Sequence, residues 1–382
     1  MKLLVVPADP LSSYVKKGEI KKLYFNPSDI FSQITFLNFD DISVEPKEIE
    51  HSTGSAQVTI ISLRPLNALE QIFPWFRFHL TKKLIRKLEV DVVRGYSPFF
   101  SGYFSLKAAK LLGVKNLVSI HSNFSELLRY YWEDRHYFRF FKYFLLSLYV
   151  EPLVLSRSNL IQPAYQHAAQ YCLEKVHSKR NIKTVYNRVY SSDFYPENNE
   201  NLRQDPDKLK ILCVGNLDRR KGQRVLIEAL SLVNFDFSLT ILGQGKDEKN
   251  IKKLVDHFQL ERKVTFIDSM PNNKLRNLYI AHDVFALPIE YGGLCIPAIE
   301  AAACGLAVLY PKFPLALTKE VTEGYFLSVD NTPEGFSKGL NALASDPIKL
   351  KNLKISSRFG YERVCCVKME KEEANNYRSL IT

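Results

Sequence analysis

The chain has 382 residues, 46% of them hydrophobic and 24% charged, a balance that excludes an intrinsically disordered or collagen-like chain. Its length excludes a disulfide-held miniprotein, and surface-to-volume scaling divides such a chain into two medium domains. Lys and Arg outnumber Asp and Glu by 52 to 41, which favours a polyanion, an anionic membrane surface or a phosphate ligand as partner.

The opening Met1-Lys-Leu-Leu-Val-Val-Pro7 is too short in apolar residues for a secretory signal and reads as a buried first strand over 3–6, so secretion through a cleaved signal is not expected. Further short apolar runs follow at 57–62, 90–94, 117–121, 159–162 and 183–185. Helical spacing separates many of them, at 76–88 and at 103–112 before Gly113. The six cysteines (Cys172, Cys213, Cys295, Cys304, Cys365, Cys366) have no C-x-x-C pairing and sit mostly in apolar runs. They read as buried thiols in a reducing, cytoplasmic compartment.

Two stretches in this half, 73–87 and 130–150, mix aromatic rings with Arg and Lys. That composition suits a membrane interface, and equally suits interior helices whose basic residues cover a solvated rim. The uncharged run 143–150 is far shorter than the ~20 residues of a spanning helix. No RNP-like strand, KH loop or zinc pattern accompanies the basic residues, so no nucleic-acid partner is expected.

The polar segment 197–207 breaks the pattern, after which strands are predicted at 209–214, 238–242, 263–266 and 284–287. Helices are predicted at 223–233, 246–258, 273–281 and 296–304. The alternation in both halves predicts an α/β protein of two Rossmann-like domains facing across a cleft. Their expected limits are 1–196 for the first, 197–208 for a linker and 209–366 for the second, with a final helix over 367–382.

Two loops carry chemistry. In Val214-Gly-Asn-Leu-Asp-Arg-Arg-Lys-Gly222 a glycine at a strand end leads through a basic turn into a helix, offering amide N–H groups, a helix dipole and the Lys221 charge to an anion. A solvated basic turn is the competing reading. In Leu287-Pro-Ile-Glu-Tyr-Gly-Gly-Leu-Cys-Ile-Pro-Ala-Ile-Glu300 a glycine pair precedes an apolar helix in which Glu300 stands alone. Gly292 and Gly293 permit close approach of a ligand, and the Glu300 carboxylate suits two ribose hydroxyls better than a surface position stabilised by the helix dipole.

These motifs, with Leu226-Ile-Glu-Ala-Leu230, Leu239-Thr-Ile-Leu-Gly-Gln-Gly245, Val264-Thr-Phe266, 275–279 and 292–305, resemble glycosyltransferase family 4 from 208 to about 341. The first half matches more thinly, in Asp91-Val-Val93, Val118-Ser-Ile-His121, Val185-Tyr-Asn187, Phe194 and Pro196. The resemblance implies a GT-B fold and a retaining, metal-independent sugar transferase that uses a nucleoside-diphosphate sugar and no other cofactor. The implied acceptor is a glycan or lipid-linked glycan bound by the first domain, with the nucleotide sugar in the second and the 367–382 helix packing back on the first.

By that resemblance Lys221 neutralises the donor diphosphate, Glu300 is the second acid of a Glu-x7-Glu motif that holds the ribose, and His121 lies near the transferred sugar. Leu294, Cys295 and Ile296 present backbone amides to phosphates and sugar, Met270 and Leu275 frame the base, and Gly215 and Gly243 end strands beside the nucleotide. Three positions depart from the pattern: Asn216 replaces an arginine, Gly292 replaces the first glutamate with Glu290 two residues early, and Gly18 is the only glycine near the first strand. Beside the transferase stand a non-catalytic sugar-nucleotide-binding scaffold and a GT-B epimerase, the latter fitting the 292–300 turn less well.

Overall fold

The computed structural model describes residues 1–17, 20–176, 181–197, 208–291, 293–313, 324–364 and 366–381. The chain forms two compact units, Met1–Tyr186 with Val367–Thr382, and Asn187–Cys366. Residues 187–196 therefore lie with the second unit, where the composition had assigned them to the first. The reason is local packing: Tyr361 donates its hydroxyl to Val189 O at 3.1 Å, and Arg276 donates to the Tyr195 and Pro196 carbonyls at 3.0 and 3.3 Å. Gly18, Gly292 and most of the expected linker fall outside the described residues.

Among the described residues unit 1 is built on a parallel sheet of β1 (Lys2–Val6), β2 (Gln33–Phe39), β3 (Gln57–Leu63), β4 (Val92–Gly95), β5 (Lys115–Ile120) and β6 (Leu160–Pro163). The spatial order is β3-β2-β1-β4-β5-β6, with Leu3 in register with both Ile34 and Val92. The strands β1, β4 and β6 are buried along nearly their whole length, as in a parallel sheet covered on both faces, with Arg94 and Gln162 as polar exceptions to their apolar runs. The helix Phe100–Leu112 stops at Gly113 with φ +72°, as its glycine predicts. The expected strand at 183–185 is a single bridge, Ile161↔Ile182. Lys183 and Val185 donate to the Ile161 and Pro163 carbonyls, so the chain follows the edge of β6 without forming a named strand.

The helix Cys366–Ile381 completes unit 1. Tyr377 shares a core cluster with Leu3, Val5 and Phe31, meeting the Phe31 ring edge-on at 4.9 Å. Beside it lies a buried polar network: Arg94 contacts Glu373 Oε1 at 2.5 Å and donates to the Tyr377 hydroxyl at 2.8 Å. Gln162 on β6 also donates to Glu373, at 3.2 Å.

Unit 2 repeats the plan with β7 (Lys208–Val214), β8 (Asp236–Leu242), β9 (Val264–Ile267), β10 (Val284–Ala286), β11 (Ala307–Pro311) and β12 (Leu327–Val329). Their order is β12-β11-β10-β7-β8-β9. In each unit the first three strands run outward on one side and the next three on the other, the doubly wound Rossmann order, with its reversal at β1/β4 and β7/β10. Loops diverge at such a reversal and leave a crevice at the strands' carboxyl ends, where ligands bind in open α/β sheets.

Candidate active site

The donor-side residues gather at the carboxyl ends of β7 to β10. Gly215, Asn216 and Lys221 follow β7, Gly243 follows β8, and Met270 and Leu275 follow β9, Leu275 within the helix Asn272–Ile280. After β10 the chain passes Gly293, Leu294 and Cys295 into the helix Ile296–Ala303, which carries Glu300. The β7 and β10 loops thus flank the topological reversal.

Main-chain contact locks these loops together. A Cβ on Gly222, whose φ is +67°, would lie 1.9 Å from Pro288 O, and one on Gly243 would lie 2.1 Å from Gly215 O. Only glycine allows either approach. The Glu290 N–H then donates across to Arg220 O at 2.8 Å.

Charge in the β7 loop is sorted by Asp218. Its carboxylate accepts the Arg220 N–H at 2.9 Å, capping the short turn Arg219–Lys221, and grips the Arg220 guanidinium at 2.6 Å. Arg219 approaches Glu290 at 4.0 Å. Lys221, by contrast, makes no ion pair with any described residue. Its methylenes lie over Gly215, 3.7 Å from where a Cβ would stand. Its ammonium acts on the thiols of Cys213 and Cys295. Burial nevertheless dominates and pushes both thiols up, Cys213 to about 12, so both stay neutral.

Glu300 is only 7% exposed. Its Oε2 accepts the Tyr279 hydroxyl at 2.7 Å, and Tyr279 is fully buried, its ring edge-on to Phe194 at 5.9 Å. Burial first, and the Glu300 carboxylate second, push the Tyr279 phenol well up, so it remains a donor. This anchor excludes the surface, dipole-stabilised position considered for Glu300.

A second unanticipated tyrosine shapes the turn before the helix. Tyr310 on β11 donates to Gly293 O at 2.7 Å and accepts the Cys295 N–H at 3.1 Å. The Cys295 amide, expected to approach a phosphate, donates here to Tyr310, and Leu294 and Ile296 flank it. Asn216 keeps an exposed side chain, while its carbonyl accepts from the buried Gln223 at 3.1 Å.

His121 belongs to unit 1, at the end of β5. Its carbonyl accepts the Tyr165 hydroxyl, and its ring stacks parallel to Tyr96 at 6.0 Å. Tyr96 in turn lies under the Arg94 guanidinium at 4.3 Å.

Residues 194–358 match the family model described as glycosyl transferases group 1. Unit 2 is a group 1 glycosyltransferase domain. An uncharacterized glycosyltransferase of Haemophilus influenzae is 30% identical over 164 residues, 40% of this chain and 46% of that protein. The phosphatidylinositol N-acetylglucosaminyltransferase GPI3 subunit of Saccharomyces cerevisiae is 24% identical over 177 residues, 43% of this chain and 38% of that one. The chain spans less than half the length of these curated relatives. HepE of Anabaena, solved with UDP and glucose, superposes with a TM-score of 0.74 at 16% identity, covering 100% of both chains. The fold of the whole chain is thus GT-B. Within the glycosyltransferase domain the matched segment opens at Phe194, the residue that packs on Tyr279.

Proposed function

We propose that the protein transfers a sugar from a nucleoside-diphosphate sugar to a glycan or lipid-linked glycan, with retention of anomeric configuration and without a metal ion. The observation that carries this reading is the placing of Lys221 and Glu300 at one topological reversal, the first without an acid partner among the described residues, the second buried on Tyr279.

Loss of a nucleoside diphosphate builds negative charge on the leaving group. The Lys221 ammonium and the amino end of the helix Ile296–Ala303 are the groups that meet it, so they stabilise the transition state more than the ground state. The carboxylate of Glu300, oriented by Tyr279, is the proposed acceptor for ribose hydroxyls. Gly215, Asn216, Gly243, Gly293, Leu294 and Ile296 line the phosphate and sugar side, and Met270 and Leu275 the base. His121 is the proposed sugar-facing residue of unit 1. The buried thiols Cys172, Cys213, Cys295 and Cys304 suit a reducing, cytoplasmic compartment. The name of the yeast relative supports a lipid-linked acceptor, and the UDP of HepE makes UDP the first nucleotide to try.

The test is a thermal-shift panel of UDP, GDP, ADP, CMP, dTDP and their sugar conjugates, with and without magnesium. A ligand at about 100 times its dissociation constant stabilises a fold by ~2.7 kcal/mol. One nucleotide should stabilise the protein without metal, and Glu300→Ala should abolish the effect. Lys221→Ala should keep the fold and lose transfer by roughly 10²–10³-fold. A folded protein that answers no nucleotide overturns the reading.

A further inference from the structure

Unit 1 leaves large apolar side chains exposed on two of its helices. On the helix Tyr137–Arg157, Phe138, Phe141, Leu145 and Leu148 are all exposed, Phe138 at 67%. Steps of three, four and three residues put them on one stripe, ~15 Å long at 1.5 Å per residue. Interior packing is therefore not the role of this face, contrary to one of the two readings of the 130–150 stretch.

The stripe continues onto a second helix. Trp75, Phe76 and Leu80 are exposed on Pro74–Ile85, Leu80 again at 67%. Trp75 meets Tyr149 edge-on at 5.6 Å, and Lys142 donates to Gln71 Oε1 at 2.7 Å, tying the two regions together. At the other end Trp132 contacts Phe140 at 5.0 Å, and Phe140 stacks on Phe144 at 5.8 Å.

Exposed charge on the two helices that carry the stripe is positive, and, the buried Glu70 apart, the nearest acids beyond their ends are Glu89, Glu133 and Asp134. Residues 135–150 contain no Asp or Glu. Residues 68–88 contain one, Glu70, which is buried against Arg64 at 2.5 Å and Arg77 at 3.8 Å. Lys83, Arg86, Lys87 and Arg139 are exposed on the same helices or just past their ends. No helix among the described residues is long and apolar enough to cross a membrane.

We propose that this aromatic and cationic face of unit 1 docks on an anionic lipid bilayer, its rings at headgroup depth and its cations against lipid phosphates. An apolar patch of this extent marks an interaction surface. Its occupant must accept both aromatic rings and uncompensated cations, the composition of interfacial rather than spanning segments. This face belongs to unit 1 and the donor loops to unit 2, so its docking does not depend on what those loops bind.

The chain has only two tryptophans, and both Trp75 and Trp132 lie on the patch. Their fluorescence should shift to the blue and be quenched by brominated acyl chains when the full protein meets vesicles of phosphatidylcholine mixed with phosphatidylglycerol. Phosphatidylcholine alone should give much less. Phe138→Ser with Leu148→Ser should weaken binding by roughly tenfold or more, whereas Ile348→Ser, an exposed apolar residue of unit 2, should not. Arg86→Glu, Lys87→Glu and Arg139→Glu together should erase the preference for anionic vesicles. An unchanged spectrum with both vesicles overturns the proposal, as does self-association that Phe138→Ser abolishes while vesicles remain without effect, which would make the face a protein interface.

Discussion

The hydroxyl of Tyr279 is held 2.7 Å from Oε2 of Glu300, with both side chains buried. A carboxylate in such a place needs a donor, because burying it unpaired is expensive. Tyr279→Phe keeps the ring and removes only that donor. Nucleotide affinity measured by calorimetry should fall by about tenfold, the equivalent of roughly 1.4 kcal/mol. In Glu300→Ala the same change should have little further effect, since the two act as one unit.

Gly222 should tolerate no side chain. Alanine there would combine φ +67° with a Cβ 1.9 Å from Pro288 O. A strained left-handed residue alone costs about 1–3 kcal/mol, and the clash adds to it. Urea unfolding of Gly222→Ala should show at least that loss, with nucleotide response lost as the β7 and β10 loops separate. Gly113, which has φ +72° but open space around it, supplies the control: Gly113→Ala should cost less.

The Arg94–Glu373 contact should behave as a buried ion pair. Glu373→Leu leaves the Arg94 guanidinium buried opposite an apolar group, and breaking such a pair destabilises by about 3–5 kcal/mol. The double variant Arg94→Met with Glu373→Leu should recover much of the loss. A double-mutant cycle in urea would measure the coupling.

His282 should make unit 2 acid-sensitive. Its Nδ1 lies 2.7 Å from Leu278 O, which only accepts, so Nδ1 carries the proton and Nε2 accepts from the Thr240 hydroxyl at 2.9 Å. Burial pushes the imidazole pKa below 6.5, against the Leu278 carbonyl and Asp283. Below that value the unfolded chain binds a proton that the folded one refuses, so stability is lost as pH falls from 6.5 through the folded pKa. His282→Gln should flatten that part of the urea midpoint against pH, and an unchanged slope would count against the neutral assignment.

Much of the fold was legible because both sheets are parallel and their central strands are buried on both faces, which writes strands as apolar runs. The strands β11 and β12 were not anticipated, and β2 escaped that reading for a reason of composition. Its sequence QITFLNF carries Thr35 and Asn38 into the interior, and Asn38 is there to accept the Leu11 N–H at 3.0 Å. The donor loops were legible through their glycines and Lys221, since close main-chain approach leaves a compositional trace. Tyr279 and Tyr310 left none: each stands among apolar neighbours and reads as core, and only the fold brings its hydroxyl to Glu300 or to the Gly293–Cys295 turn. The exposed stripe on Tyr137–Arg157 posed the opposite problem, because its helical spacing is the same whether the face is covered by protein or by something else.

Unit 1 is closed by a helix that follows unit 2 in the chain. As the protein leaves the ribosome, Arg94 emerges long before Glu373 and Tyr377, so the first sheet must wait with a buried-site guanidinium unmatched while the second unit is made and folds. Domains otherwise tend to fold in order of synthesis. Here the later-made unit is the one able to finish first, and the earlier one is left open to chaperones and proteases until the last turns of helix arrive.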